Sequence, residues 1–118
     1  MKNRLILLAL PLLTACAPHP GAGKWKAVET NEAGISALTI AYDGRALFTS
    51  KRPAAVWHCF WSARSARDLA MSCTPSSHPD RERQYRFQVD EKGIGVLMRN
   101  DSPVARFQRL EGRPEIEE

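Results

Sequence analysis

Residues 57–63 read WHCFWSA and residues 69–73 read LAMSC, and apolar and polar side chains alternate along both stretches, with Phe60 as the exception. Alternation with a period of two is typical of β-strands that bury one face. If the two stretches pair antiparallel with their cysteines opposite each other, every facing pair on that side is apolar. These pairs are Cys59 with Cys73, Trp61 with Met71, and Ala63 with Leu69. The sequence therefore predicts a β-hairpin with a loop at residues 64–68.

The outward face of this hairpin carries His58, and Phe60 falls on the same side. We expect Trp57 and Trp61 to fill the core, whereas Phe60 does not fit the alternation and is either a misfit to the predicted register or an exposed surface residue. An exposed aromatic ring beside a histidine is a candidate for contact with another protein. His58 and Phe60 are therefore candidate partner-binding residues.

Further turn signals predict hairpins on both sides of this one. Asp43-Gly44 suits a two-residue turn, which pairs Ile40 with Leu47. Residues 90–93 suit a type I turn followed by a glycine bulge, and residues 100–103 suit another turn. The pairs predicted there are Val89 with Ile94, Phe87 with Val96, Tyr85 with Met98, Met98 with Ala105, and Val96 with Phe107.

No stretch of ten residues after the first fifteen shows a convincing helical period. Residues 63–71 could form a short helix, but the strand pairing that places Cys59 opposite Cys73 is an alternative structure for the same residues. With a first strand at residues 24–30, the sequence predicts an all-β domain, an antiparallel meander of about seven or eight short strands. Curling into a small barrel or a strongly curved sheet would remove the exposed sheet edges. The domain is expected at residues 24–110, and residues 111–118 are expected to be a frayed acidic tail.

The first fifteen residues form a separate segment. Lys2 and Arg4 precede an apolar run, residues 5–13, that is too short for a stable membrane-spanning anchor, which is typical of an export signal. The run ends in Leu13-Thr14-Ala15-Cys16, which resembles the lipobox of bacterial lipoproteins. An ordinary secretory signal with a chance cysteine is the alternative.

The lipoprotein resemblance implies cleavage before Cys16 and attachment of fatty acyl chains, such as palmitate, to that cysteine. Ala17, which is not Asp, implies sorting to the outer membrane where the organism has two membranes. Residues 16–23 would then form a lipidated cysteine and a short tether that holds the domain close to the bilayer. The expected location is the bacterial cell envelope, with the outer membrane favoured.

Cys59 and Cys73 remain as an even pair once Cys16 is lipidated, and in an oxidising envelope a disulfide is expected. A zinc site built from both cysteines with His58 and His78 is the alternative. His58 and Cys59 are adjacent on a strand and point to opposite faces, and the chain has no Cys-x-x-Cys pair. We therefore expect no metal and no cofactor.

The formal charge of +4 falls to +2 because two of the 17 basic residues, Lys2 and Arg4, belong to the leader. Charges of opposite sign alternate at residues 80–83, so we expect no nucleic-acid binding. The chain has no Gly-x-Ser-x-Gly motif, and its aspartates fall at predicted turns. We therefore expect a protein that is not an enzyme.

The polar segment at residues 74–83 is either a binding loop, with His78, Arg81 and Arg83 as candidate contacts, or a solvated linker. Gly23-Lys24-Trp25 resembles the Gly-x-Trp start of small lipocalin-like barrels of bacterial envelopes. The function favoured is a membrane-anchored, non-enzymatic module that binds an envelope protein. The alternatives are an inhibitor of an exported hydrolase, such as a protease or lysozyme, acting through an N-terminal arm, and a carrier of lipid or another small apolar ligand.

Overall fold

The computed structural model describes residues 18–116, so Cys16 and the leader lie outside the described residues. It contains eight strands, β1 (Gly23–Ala27), β2 (Ala37–Ile40), β3 (Arg45–Lys51), β4 (Ala54–Ser65), β5 (Asp68–Pro75), β6 (Arg83–Val89), β7 (Gly95–Arg99) and β8 (Ser102–Leu110). Each strand pairs antiparallel with the next, and β8 returns to pair with β1, so the sheet closes into a barrel. The predicted all-β meander is confirmed, and the first strand is shorter than predicted.

The inside of the barrel is a packed core. Inward and outward side chains alternate along the strands, as on β5, where every second residue is buried. The largest fully buried side chains come from six of the eight strands: Trp25, Leu38, Ile40, Leu69, Met71, Cys73, Phe87, Leu97 and Phe107. Side chains therefore fill the space that a barrel of eight strands encloses.

The cysteine hairpin has the predicted register. Cys59 and Cys73 face each other and form a disulfide, Trp61 faces Met71, and Ala63 faces Leu69. The predicted loop at residues 64–68 is wrong, because the strands continue past a bulge to the pair Ser65 and Asp68. Only residues 66–67 remain as the turn.

The hairpin at Asp43-Gly44 is shifted by one residue from the prediction. Ile40 faces Ala46 instead of Leu47, and the amide of Ala41 donates to the carbonyl of Arg45 (2.8 Å). The loop therefore has three residues, 42–44, and Gly44 takes the positive φ (95°) that its bulge requires. This shift turns Leu47 to the outer wall of the barrel.

The hairpin at residues 90–93 is shifted in the same way. Val89 faces Gly95, and Phe87 faces Leu97. The Asp90 carboxylate accepts hydrogen bonds from the backbone amides of Ile94 and Lys92 (both 2.9 Å). The hydrogen bond from Ile94 is the main reason why the pKa of the Asp90 carboxyl lies below its usual value. The predicted pairs Val89–Ile94, Phe87–Val96 and Tyr85–Met98 are therefore wrong.

The pairing of β7 with β8 also differs from the prediction. Leu97 faces Ala105 and Gly95 faces Phe107, so the predicted pairs Met98–Ala105 and Val96–Phe107 are wrong. The turn between these strands has only two residues, Asn100 and Asp101, both with positive φ. A type I′ turn needs that conformation, and a bulge next to Met98 completes the connection.

Both chain termini of the described region lie against one end of the barrel, which we call the N-terminal end. His19 Nε2 donates to the carbonyl of Ser65 (2.8 Å), and Arg109 donates to the carbonyls of Pro20 and Ala22. Pro114 is buried and lies beside the 42–44 turn, so the chain stays in contact with the barrel as far as this residue. The opposite end carries the loops between β1 and β2, between β3 and β4, between β5 and β6, and between β7 and β8.

Candidate functional site

Phe60 is the most exposed large hydrophobic residue of the described chain, with 70% of its surface accessible. Strand alternation places it there, because Trp57 and Cys59 on the same strand point into the core. Phe60 lies between Arg45 on β3 and Ser72 on β5, so its ring stands on the flat outer wall of the barrel. Its exposure confirms the interpretation of Phe60 as a surface residue.

Three further residues extend this surface along β3 and β4. His58 is exposed two residues from Phe60, Val56 is 40% exposed two residues beyond, and Leu47 is half-buried opposite His58. We call these four residues, Leu47, Val56, His58 and Phe60, the outer patch. An aromatic side chain flanked by aliphatic ones on a rigid sheet is typical of the centre of a protein interface.

Polar groups border the outer patch on both sides. On one side, Arg45 forms an ion pair with Asp43 (2.9 Å), and the hydrogen bond from Arg45 holds the pKa of the Asp43 carboxyl below its usual value. On the other side, Ser72 donates to Glu82 and accepts from Gln84. An apolar centre within a polar border is the usual layout of a non-obligate protein interface.

The structure does not bring the five candidate binding residues into one site. His58 and Phe60 share the outer patch. His78 and Arg81 lie in the exposed loop at residues 76–82, which starts beside β4 where the amide of Ser76 donates to the carbonyl of Val56 (2.9 Å). Arg83 instead turns toward the interior, with its guanidinium 4.8 Å from the centre of the Trp57 ring.

Leu47 and Val56 are outer-patch residues that the sequence predictions do not include, and Leu47 is absent from them because the predicted register pairs it with the core residue Ile40. The sequence pattern places Arg83 in the polar loop, although its position on β6 has the same parity as the buried residues Tyr85 and Phe87. That parity is the signal that could have placed Arg83 on the inner side of the barrel.

A separate, concave surface lies at the N-terminal end, where Pro18, His19, Ala22, Tyr42 and Trp61 line a cavity of about 480 Å³. Trp61 donates from Nε1 to the carbonyl of Ala41 (2.8 Å), and its ring lies 5.9 Å from that of His19. The contacts of His19 with Trp61 and Ser65 hold the segment that follows the predicted lipidation site against the barrel wall.

Within residues 18–116, no group of three His, Cys, Asp or Glu side chains is arranged to hold a metal ion. Over the same range the chain forms no helix long and apolar enough to cross a bilayer. No protein-family model, curated protein or solved structure matches the chain significantly.

Proposed function

We propose that this chain is a lipid-anchored protein of the bacterial envelope that binds a protein partner through the outer patch, without enzymatic activity of its own. The observation that carries the proposal is the 70% exposure of Phe60 on a strand whose inward neighbour, Cys59, is held by a disulfide. A rigid site loses little conformational entropy when it binds, and burying an exposed aromatic ring contributes favourable free energy. The sequence Leu13-Thr14-Ala15-Cys16 supports the anchor.

The two other functions have weaker support. An inhibitor that inserts an N-terminal arm needs that arm free, whereas hydrogen bonds from Arg109 and His19 fasten residues 19–22 to the barrel. A carrier of apolar ligands needs an open interior, whereas Trp25, Phe87 and Phe107 are fully buried inside the barrel. Partner binding on the outer wall needs neither feature.

The anchor predicts a clear change in fractionation for Cys16→Ser. Each buried methylene of an acyl chain contributes roughly 0.8 kcal/mol to membrane attachment, so two or three chains make the attachment effectively permanent. We expect the wild-type protein to stay with membranes after a high-salt wash and the variant to appear in the soluble envelope fraction. Ala17→Ser, which leaves the cysteine in place, serves as the control. Unchanged processing and fractionation of Cys16→Ser would refute the anchor.

The binding surface is tested by photocrosslinking in intact cells, with a photoreactive phenylalanine analogue at position 60 and, as the control, at Gln108. Gln108 is exposed on the outer wall of β8, away from the outer patch. We expect a discrete crosslinked product from position 60 that is absent from position 108. Equal products, or none from position 60, would contradict the proposed site.

The same surface predicts separate effects of Phe60→Ala on stability and on binding. Because Phe60 is largely exposed, the free energy of unfolding should change by no more than about 0.5 kcal/mol. Loss of an anchoring aromatic should weaken partner binding by about 2 kcal/mol, which is roughly thirtyfold in Kd. Binding by Phe60→Ala is measured as the yield of the crosslinked product when the photoreactive analogue is placed at position 56. Leu110→Ala, which truncates an exposed apolar residue on β8, should leave crosslinking unchanged.

A further inference from the structure

The barrel end opposite Pro18 opens into a cavity of about 700 Å³ that the outer patch does not reach. Three arginines, one from the β3–β4 turn, one from β6 and one from the end of β7, line this cavity. We call the group of Arg52, Arg83 and Arg99 the arginine mouth. Tyr85, Val104 and two prolines, Pro53 and Pro103, supply the apolar part of the wall.

Two of the three arginines are held in place by contacts that leave their charge uncompensated. Arg83 stacks on the Trp57 ring at 4.8 Å. Arg52 donates from Nε to the carbonyl of Glu32 (2.6 Å) and from a terminal nitrogen to the carbonyl of Asn31 (3.2 Å). These contacts restrain the guanidinium groups, so a ligand that binds them loses less side-chain freedom.

The charges that line this cavity are unbalanced. Within residues 18–116, the ion pairs join Arg45 to Asp43 and Arg86 to Asp68, and none involves the arginine mouth. Glu32 lines the same cavity and carries the one carboxylate there, against three guanidinium groups. Like charges around one concavity repel each other, and an anion bound between them would remove that repulsion.

We propose that the arginine mouth binds the oxyanion of a small ligand, a phosphate or a carboxylate, whose attached body is apolar. Guanidinium groups match both oxyanions because their paired N–H donors form two parallel hydrogen bonds. The apolar wall at Tyr85 and Val104 would hold the body of the ligand, as in most small-molecule sites, where a few polar groups fix an otherwise apolar molecule. This site is separate from the outer patch, so it stands or falls independently of the proposed function.

The experiment titrates the purified full chain, in a nonionic detergent at low salt, with phenyl phosphate, phenol and inorganic phosphate. Binding is followed by calorimetry and by tryptophan fluorescence, because Trp57 lies directly beneath Arg83. We expect saturable binding of phenyl phosphate, at least tenfold weaker binding of inorganic phosphate, and no saturable binding of phenol. If phenyl phosphate does not saturate, or if phenol binds equally well, the proposal is overturned.

Variants locate the site. Arg83→Gln and Arg99→Gln should each weaken phenyl phosphate binding about tenfold or more, since each removes charge-assisted hydrogen bonds. Arg67→Gln makes the same charge change at an exposed turn of the N-terminal end and should leave binding unchanged. Arg83→Lys, which keeps the charge without the paired donors, should bind with intermediate strength and tests the site even where Arg83→Gln fails to fold. An equal loss in Arg67→Gln would show unspecific attraction by net charge and refute the site.

Discussion

Trp25→Ala is expected to lower the free energy of unfolding by about 3 to 5 kcal/mol, the usual cost of truncating a buried aromatic residue to alanine. Trp25 is fully buried, and its ring packs edge-on against Phe87 at 5.0 Å. The guanidinium of Arg109 covers the ring at 4.4 Å, and Nε1 donates to the carbonyl of Gly21 (3.0 Å). Because Trp25 lies on β1 and Arg109 on β8, the variant also weakens the seam that closes the barrel.

Equilibrium unfolding in urea measures this effect, with Trp25→Phe and Arg109→Met as companions. Trp25→Phe keeps most of the ring and loses the hydrogen bond to Gly21, so its loss should be smaller than that of Trp25→Ala. Arg109→Met keeps an apolar stem over the ring and loses the charge, so it isolates the contribution of the cation. A loss below about 1 kcal/mol for Trp25→Ala would contradict the central position of this residue in the core.

Removing the disulfide is expected to lower the free energy of unfolding by about 3 kcal/mol. Cys59 and Cys73 are 14 residues apart, and closing a loop of about this length in the unfolded chain costs roughly that much on the chain-entropy estimate. Both cysteines are buried, so the double variant Cys59→Ala/Cys73→Ala also loses some packing. Domains of this size are stable by only about 5 to 15 kcal/mol, so the barrel should then unfold at much lower denaturant concentrations.

Reduction of the wild-type protein provides the matched control for this double variant, because it removes the crosslink and keeps every other heavy atom. Urea unfolding with and without reductant should shift the wild-type midpoint strongly and leave the midpoint of the double variant unchanged. A wild-type midpoint that does not move on reduction would show that the crosslink contributes nothing to stability.

The register of the cysteine hairpin, though not the length of its turn, could be predicted because two independent constraints agree there. The disulfide fixes which residues face each other, and the apolar pairs Trp61–Met71 and Ala63–Leu69 select the same register. The hairpins at Gly44 and Gly93 have no such link, and their turn sequences fit loops of more than one length. The predicted register of each of these two hairpins therefore differs by one residue from the observed register.

The outer patch shows what a shift of one residue means for a candidate site. Phe60 could be placed correctly because its strand is fixed by the disulfide at Cys59. Leu47 could not, because its position depends on the turn at Gly44, and a single step there exchanges the inner and outer faces of β3. The arginine mouth unites Arg52, Arg83 and Arg99 from three separate segments, and only the closure of the barrel brings them to one opening.

Because residues 19–22 are hydrogen-bonded to the barrel, only a short segment would separate the barrel from the proposed lipid anchor at Cys16. An extended chain spans at most about 3.6 Å per residue, so two residues from Cys16 to Pro18 cover roughly 7 Å. With acyl chains on Cys16, as proposed, the barrel would lie almost directly on the lipid headgroups. The opening lined by arginines would then face away from that bilayer, and the wall that carries Phe60 would face sideways, along the membrane. Such a protein would meet partners embedded in, or lying along, its own membrane, whereas a ligand for the opening would arrive from the aqueous side.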